Sequence, residues 1–315
     1  MIPIVTITIN PCVDMSVTIP QLIPEKKLHC SEPVYEPGGG GINVGRAVKK
    51  LGGDSFAFFL AGGSNGELLD EMLDEERLPH RIIKTRSRTR ENMIVRDLAA
   101  NVQYRFNMPG PAIFEEEWKQ LLSTLEKIEK VEYMVASGSI TEGVPVDIFG
   151  KISDIAKRKS ARFIVDSSGP ALKQALEHGG VYLIKPSINE LSALIGAKGL
   201  NADTVAAAAR QIISRGRCEV VVVSMGPGGA MLITKDIAET ITPPPSEKKS
   251  VVGAGDSMVA GIVLSLARGR NIQEALRYGV ASGTAATMNA GTELCRLEDA
   301  EMLYEQLRKN SVLKH

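Results

Sequence analysis

Charge of either sign is missing as a surplus: Lys and Arg together number 37, and so do Asp and Glu. No overall field therefore draws the chain to nucleic acid or to an anionic membrane, and any anionic ligand must be met by a local cluster. Cysteine is sparse and scattered. Cys12, Cys30, Cys218 and Cys295 form no Cys-x-x-Cys pair, which argues against a zinc site or a disulfide framework and for reduced thiols. Long hydrophobic runs are absent too. The apolar start, Ile2 to Ile9, has no basic flank and stops at Asn10-Pro11, and nothing later nears the roughly 20 apolar residues a bilayer requires. The expectation is a soluble, unprocessed cytoplasmic protein with no nucleic-acid or membrane partner.

What is present, over 315 residues, is an alternation of strand-length apolar runs with helix-period segments, enough for one large α/β unit. Strands are expected at Ile4 to Ile9, Ser55 to Ala61, Tyr133 to Ser137, Phe163 to Asp166, Tyr182 to Lys185 and Val220 to Met225. Helices fall between them, and after Asp256 the chain turns mainly helical. This is the pattern of a doubly wound, mostly parallel sheet flanked by helices. Residues 12–36 and about 80–107 instead alternate apolar and polar residues at period two with no helix attached. Together they read as a small antiparallel sheet, a discontinuous lid on the single domain. Its uncovered apolar face suits a homodimer.

Ser250-Val251-Val252-Gly253-Ala254-Gly255-Asp256-Ser257 joins a Gly-rich turn to an acidic residue at the head of an apolar helix. A helix N-terminus carries free N–H donors and partial positive charge, so it favours a phosphoryl group. Asp256 would sit beside that group as a base, or would merely cap the helix. Gly38-Gly39-Gly40-Gly41 precedes a second helix beginning Ile42-Asn43. Four glycines in a row are costly in backbone entropy, and close approach of a ligand explains them better than a turn alone. Asn43, and Asp14 at the exit of the first strand, then suit hydroxyl binding. No glycine cluster here is followed by the Lys-Ser/Thr of a Walker loop. Gly226-Pro227-Gly228-Gly229-Ala230-Met231 lacks the last glycine of a dinucleotide loop.

The stretch Gly38 to Asn43, with Gly52 and Gly62, resembles the first signature of the PfkB (ribokinase-like) carbohydrate kinases, and Ser250 to Val263 resembles the second. Thr6 to Pro11 with Asp14, Ser137-Gly138-Ser139 and Val223 to Gly229 extend the likeness over nearly the whole chain. Arg90, Tyr104-Arg105-Phe106 and Met108-Pro109-Gly110 are similar to the phosphosugar branch.

The resemblance implies ATP- and Mg²⁺-dependent phosphorylation of a hexose phosphate. Fructose 6-phosphate is the first candidate, with tagatose 6-phosphate and fructose 1-phosphate as alternatives and a non-catalytic sugar-phosphate-binding regulator as the remaining one. It implies Asp256 as general base, with the amides of Gly253, Ala254 and Gly255 as an anion hole. For the phosphosugar it implies Asp14, Lys27, Gly39, Gly40, Asn43, Arg90, Arg105 and Ser139. For ATP it implies Lys185, Ser187, Ser224, Gly226, Pro227, Gly229 and Asn289. Asp166 and Glu190 fall to Mg²⁺ or its waters, and Ser250, Val252, Asn289 and Gly291 to K⁺. The chain departs from the pattern at Lys185-Pro186-Ser187-Ile188-Asn189-Glu190, where the family has Asn at the position of Ser187. Weaker or altered Mg²⁺ dependence is the corresponding expectation.

Overall fold

The computed structural model describes residues 2–197, 199–289 and 291–312. In chain order the strands are β1 (Ile2–Thr8), β2 (Cys12–Ile19), β3 (Val34–Gly38), β4 (Ser55–Ala61), β5 (His80–Lys84), β6 (Arg90–Asp97), β7 (Val102–Phe106), β8 (Val131–Ser137), β9 (Arg162–Asp166), β10 (Val181–Ile184), β11 (Cys218–Ser224), β12 (Ala230–Ile233) and β13 (Ala238–Ile241). The helices are α1 (Gly40–Lys50), α2 (Gly63–Glu75), α3 (Glu115–Glu126), α4 (Ile148–Arg158), α5 (Gly169–His178), α6 (Ile188–Ile195), α7 (Ala202–Ser214), α8 (Ala254–Ala267), α9 (Ile272–Thr287) and α10 (Leu297–Val312).

Nine strands form the main sheet in the order β13-β12-β11-β10-β9-β8-β1-β4-β5. From β11 to β5 every pair is parallel. Alternate residues of the central strands face opposite layers. Ile4, Val135, Ile164, Leu183 and Val222 pack under α1, α8, α9 and α10. Val5, Met134, Val165, Ile184 and Val221 pack under α3 to α7. Burial on both faces is why these strands read as continuous apolar runs. Helix α8 is buried along Ser257 to Leu266, as a helix apolar all round must be.

The chain runs outward from β1 to β4 and β5, then returns to lay β8 on the other side of β1. That reversal creates a crevice at the carboxyl ends of β1 and β8, the place where open α/β sheets bind ligands.

A second sheet has the order β3-β2-β6-β7. Its outer pairs, β2–β3 and β6–β7, are antiparallel, while the central pair β2–β6 is parallel. The parallel pair follows from connectivity: α1, β4, α2 and β5 lie between its two strands and supply the crossover. Residues 80–84, read from their alternation as part of this small sheet, belong to the main sheet as its parallel edge strand beside β4. Period two reports a half-exposed strand but not the sheet it joins. The hairpin β12–β13, which extends the other edge antiparallel, is a further element beyond the sequence reading. Its strands have four residues each, too short to establish a period.

Candidate active site

Walking across the carboxyl ends of the main sheet passes through the site residues in order. Beyond β1 stand Asn10 and then Asp14, Ser137 and Ser139 lie at the end of β8, Asp166 ends β9, Lys185 follows β10, and Ser224 ends β11. One edge of the sheet, seen end-on, therefore gathers residues spread over more than half the chain.

At the centre, the Asn43 amide donates from α1 to Asp256 Oδ2 at 3.0 Å. Asp256 lies in the first turn of α8, whose N-cap, Gly253, takes the left-handed conformation at φ 71°. Helix geometry leaves the first-turn amides without intrahelical acceptors, so Ala254, Gly255 and Asp256 present N–H donors at this end. Lys185, 8 % exposed, packs against Gly255, where a side chain would come 3.3 Å from Nζ, and pairs with Asp166 Oδ1 at 3.3 Å. An ammonium and a helix N-terminus thus converge on one spot, as a phosphate site requires.

The carboxylates outnumber the ammonium. Burial, with Asp166 nearby, pushes the Asp256 carboxyl up to about 6, against the opposing pull of Asn43 and Lys185. Burial likewise raises Asp166, although Lys185 opposes it. Lys185 is held above its ordinary range: burial works against its charge, but Asp166, Asp256 and Glu190 together prevail. The excess negative charge suits a hard divalent cation. Among the described residues no cluster of three or more His, Cys, Asp or Glu side chains could hold a metal alone. A Mg²⁺ held here would need phosphate and water oxygens to complete its shell, as that ion commonly does.

The glycine run needs room first for the protein's own chain. A side chain at Gly38 would run into Asp14 and Cys12, one at Gly40 into Ser137 and Gly138, and one at Gly41 into Ile7 and Thr8. Gly39, at φ 111°, turns against Pro11. Ligand approach was the favoured explanation at the sequence level. The structure adds that α1 enters directly against β1 and β8, and this packing is what places Asn43 beside Asp256.

The small sheet presents two unlike faces. Register puts Asp14, Glu36, Arg90, Asn92 and Arg105 on one side. Met15, Tyr35, Met93, Tyr104 and Phe106 occupy the other. On the polar face, Arg90 donates to the carbonyls of Asn10 at 3.1 Å, Pro11 at 3.4 Å and Met108 at 3.1 Å, so its charge meets no carboxylate in these bonds. Asn10 donates to Ser139 Oγ at 3.1 Å. Arg105 shares this face but is exposed, and Lys27 lies in the exposed connection between β2 and β3.

On the α8–α9 side a cleft of about 550 Å³ is lined by Ser224, Gly226, Pro227 and Gly229 together with Pro243–Pro245, Val251, Met258, Val280 and Thr284. Its mixture of apolar walls and loop amides suits an adenine nucleotide. The glycine loop is legible in the sequence, whereas the prolines of 243–245 join this wall only through the fold. Val280 and Thr284 carried no local signal, because one helical turn of α9 gives them a common face only once α9 is placed. Ser187 and Glu190 form a capping box at α6, Glu190 N donating to Ser187 Oγ at 3.2 Å and Ser187 N to Glu190 Oε2 at 2.7 Å. Behind α8, Ser250 Oγ donates to the Gly291 carbonyl at 2.7 Å and Asn289 to the Leu294 carbonyl at 2.8 Å. Asn289 is buried there and does not line the cleft. The buried hydroxyl of Thr292, next in sequence to Gly291, has no hydrogen-bond partner among the described residues.

Residues 1–300 match the model of the pfkB family of carbohydrate kinases. The ATP-dependent 6-phosphofructokinase isozyme 2 of Escherichia coli K12 is 43% identical over 98% of this chain and 100% of its own. The 1-phosphofructokinase of Bacillus subtilis is 32% identical over 92% of this chain and 95% of its own. Phosphofructokinase-2 from Escherichia coli in complex with potassium superposes with a TM-score of 0.94 over 98% of this chain and 100% of that one. Structures of the same relative have been solved with fructose-6-phosphate and in a tetrameric inhibited form.

Proposed function

This chain belongs to the pfkB family of carbohydrate kinases, and from that membership we propose that it transfers the γ-phosphoryl group of ATP to fructose 6-phosphate, forming fructose 1,6-bisphosphate. The observation that carries the reading is the Asn43–Asp256 contact at the head of α8. It sets a carboxylate of raised pKa beside free helix amides and the Lys185–Asp166 pair.

In this reading Asp256 takes the proton from the sugar 1-hydroxyl, and Asn43 orients both the carboxylate and a sugar hydroxyl. The amides of Gly253 to Asp256 and the Lys185 ammonium stabilise charge on the transferring group. Phosphoryl transfer has a loose transition state, so positioning and charge stabilisation carry most of the acceleration. Asp14 and Ser139 hold sugar hydroxyls, with Gly39 and Gly40 lining the approach. Arg90, with Arg105 and Lys27, supplies positive charge for the 6-phosphate. The cleft beside Gly226 to Gly229 takes the nucleotide. Asp166 and Glu190 fit Mg²⁺ through its waters, and the bound ion would neutralise phosphate charge. Ser250, Val252, Asn289 and Gly291 fit K⁺.

The apolar face of the small sheet exposes Tyr35, Tyr104 and Phe106 at 38 to 43 %. A second copy of the chain covers it in this proposal, making at least a dimer, while the polar face closes over the sugar and shields the phosphoryl group from water. Among the described residues no helix is long and apolar enough to cross a membrane; the glycolytic reaction proposed belongs to the cytoplasm.

The test is ADP release with MgATP against fructose 6-phosphate, tagatose 6-phosphate, fructose 1-phosphate and fructose, ranked by kcat/KM. A lead for fructose 6-phosphate is expected. A lead for either alternative phosphosugar moves the substrate assignment, and binding without turnover points to a regulator.

A further inference from the structure

Asn92 is 8 % exposed, in the middle of the polar face of the small sheet. It stands directly opposite Asp14 in the parallel β2–β6 register, two residues beyond Arg90 and therefore on the same side of the strand. Its side-chain amide is used at both ends. Nδ2 donates to Asp14 Oδ1 at 2.9 Å, and Oδ1 accepts the Met108 N–H at 3.1 Å. The Met108 carbonyl in turn accepts from Arg90 Nη1 at 3.1 Å. Both main-chain groups of Met108 are thus gripped from β6, one by Asn92 and the other by Arg90.

These contacts form a closed circuit. Arg90 reaches on from Met108 to the carbonyls of Asn10 and Pro11, which lead directly into β2 and back to Asp14. Asn10 extends the circuit to Ser139. Three of its members, Asp14, Arg90 and Ser139, are groups assigned above to the sugar phosphate. Asn92 links the Asp14 carboxylate to the Met108 N–H, and the guanidinium holds the carbonyl of that same residue. Cys12 Sγ also donates to Asp14 Oδ1, at 3.2 Å, but a thiol is a weak donor. Asn92 therefore supplies the stronger restraint on that oxygen, while Oδ2 lies against Gly38, where a side chain would collide with it. The alternatives at this position fail on chemistry. An Asp would put like charge against Asp14, a Ser would be too short to span both partners, and a Leu of similar size would leave the Met108 N–H and Asp14 Oδ1 without this partner.

We propose that Asn92 is a positioning residue for the sugar phosphate, fixing the orientation of Asp14 and clamping the chain at Met108 so that Arg90 is held in register with it. The inference rests on the reading of Asp14 and Arg90 as sugar-phosphate ligands.

Steady-state kinetics of Asn92→Leu and Asn92→Asp test it, with separate KM values for fructose 6-phosphate and ATP. Asn92→Leu is expected to raise KM for fructose 6-phosphate about 10- to 100-fold, the scale of one hydrogen bond to a charged group. KM for ATP should stay within about twofold. Asn92→Asp keeps the acceptor for Met108 but loses the donor to Asp14, and should be impaired at least as much. Adding Asn92→Leu to Asp14→Asn should then cost less than it does in the wild type, since coupled residues are non-additive. A KM for fructose 6-phosphate within about twofold of wild type in both single variants overturns the proposal. So does a parallel rise in both KM values with lowered thermal stability, which is the mark of a merely structural residue. Asp14→Ala and Arg90→Ala separate the levels: impaired sugar binding in these with intact Asn92 variants defeats only the inference, whereas unimpaired binding defeats the site reading beneath it.

Discussion

Asn43 and Asp256 are 213 residues apart in sequence and 3.0 Å apart in space, the first early in α1 and the second in the opening turn of α8. Each helix is brought there by a glycine-rich entry, and neither could hold the contact if its entry were bulkier. The contact joins the two signatures of the family into one site and gives the carboxylate an orienting donor.

Asp256→Asn is expected to lower kcat by about 10²- to 10⁴-fold, the range for loss of general-base catalysis. KM for both substrates should change only a few-fold, because the amide keeps the shape of the carboxylate. Stopped or coupled assays of ADP formation measure this, and near-normal kcat would falsify the role of base.

The raised pKa of Asp256 predicts a pH profile. The base works ionised, so kcat/KM in the free enzyme should fall tenfold per pH unit below about 6. A profile flat down to pH 5 would mean that another group takes the proton or that proton abstraction is not felt in the rate.

The same raised pKa predicts stability. An acid with a folded pKa of about 6 instead of its ordinary 3.8 favours the folded state fully below the lower value. That advantage is lost as pH rises through the upper one. Above pH 7 Asp256→Asn should therefore stabilise the unliganded protein by up to about 3 kcal/mol, since each tenfold change in proton affinity corresponds to about 1.4 kcal/mol. The gain should shrink to well under about 1 kcal/mol near pH 4. Denaturant melts at both pH values decide it, and equal gains at both would assign the effect to packing.

Arg90→Ala should raise KM for fructose 6-phosphate by more than tenfold while KM for ATP holds, because in the proposed site the guanidinium meets a phosphate that does not react. If kcat alone fell, Arg90 would be acting on the transferring phosphoryl group.

Ser187→Asn should keep the α6 cap, since Asn caps as well as Ser, and should reduce the Mg²⁺ concentration needed for half-maximal rate severalfold. Ser187→Ala, by contrast, should cost about 1 kcal/mol of stability through the lost cap. An unchanged Mg²⁺ titration in Ser187→Asn would leave position 187 with a capping role only.

By itself the sequence determined the layered α/β class, the strands of the central sheet and the chemical parts of the site. Doubly buried strands have an unmistakable apolar run, and Gly253 to Asp256 and Gly38 to Asn43 are contiguous motifs whose residue types state their chemistry. Tertiary structure alone decided which sheet received residues 80–84, that β2 and β6 run parallel, and that Val280 and Thr284 line the cleft beside Gly226 and Gly229. Those outcomes depend on pairing and packing across long separations, which no local period records. It also decided that Lys27 is exposed and that Asn92 is bonded to Asp14. The register between strands whose first residues are Cys12 and Arg90 is set by everything folded between them, so the partner of Asp14 had to be seen in space.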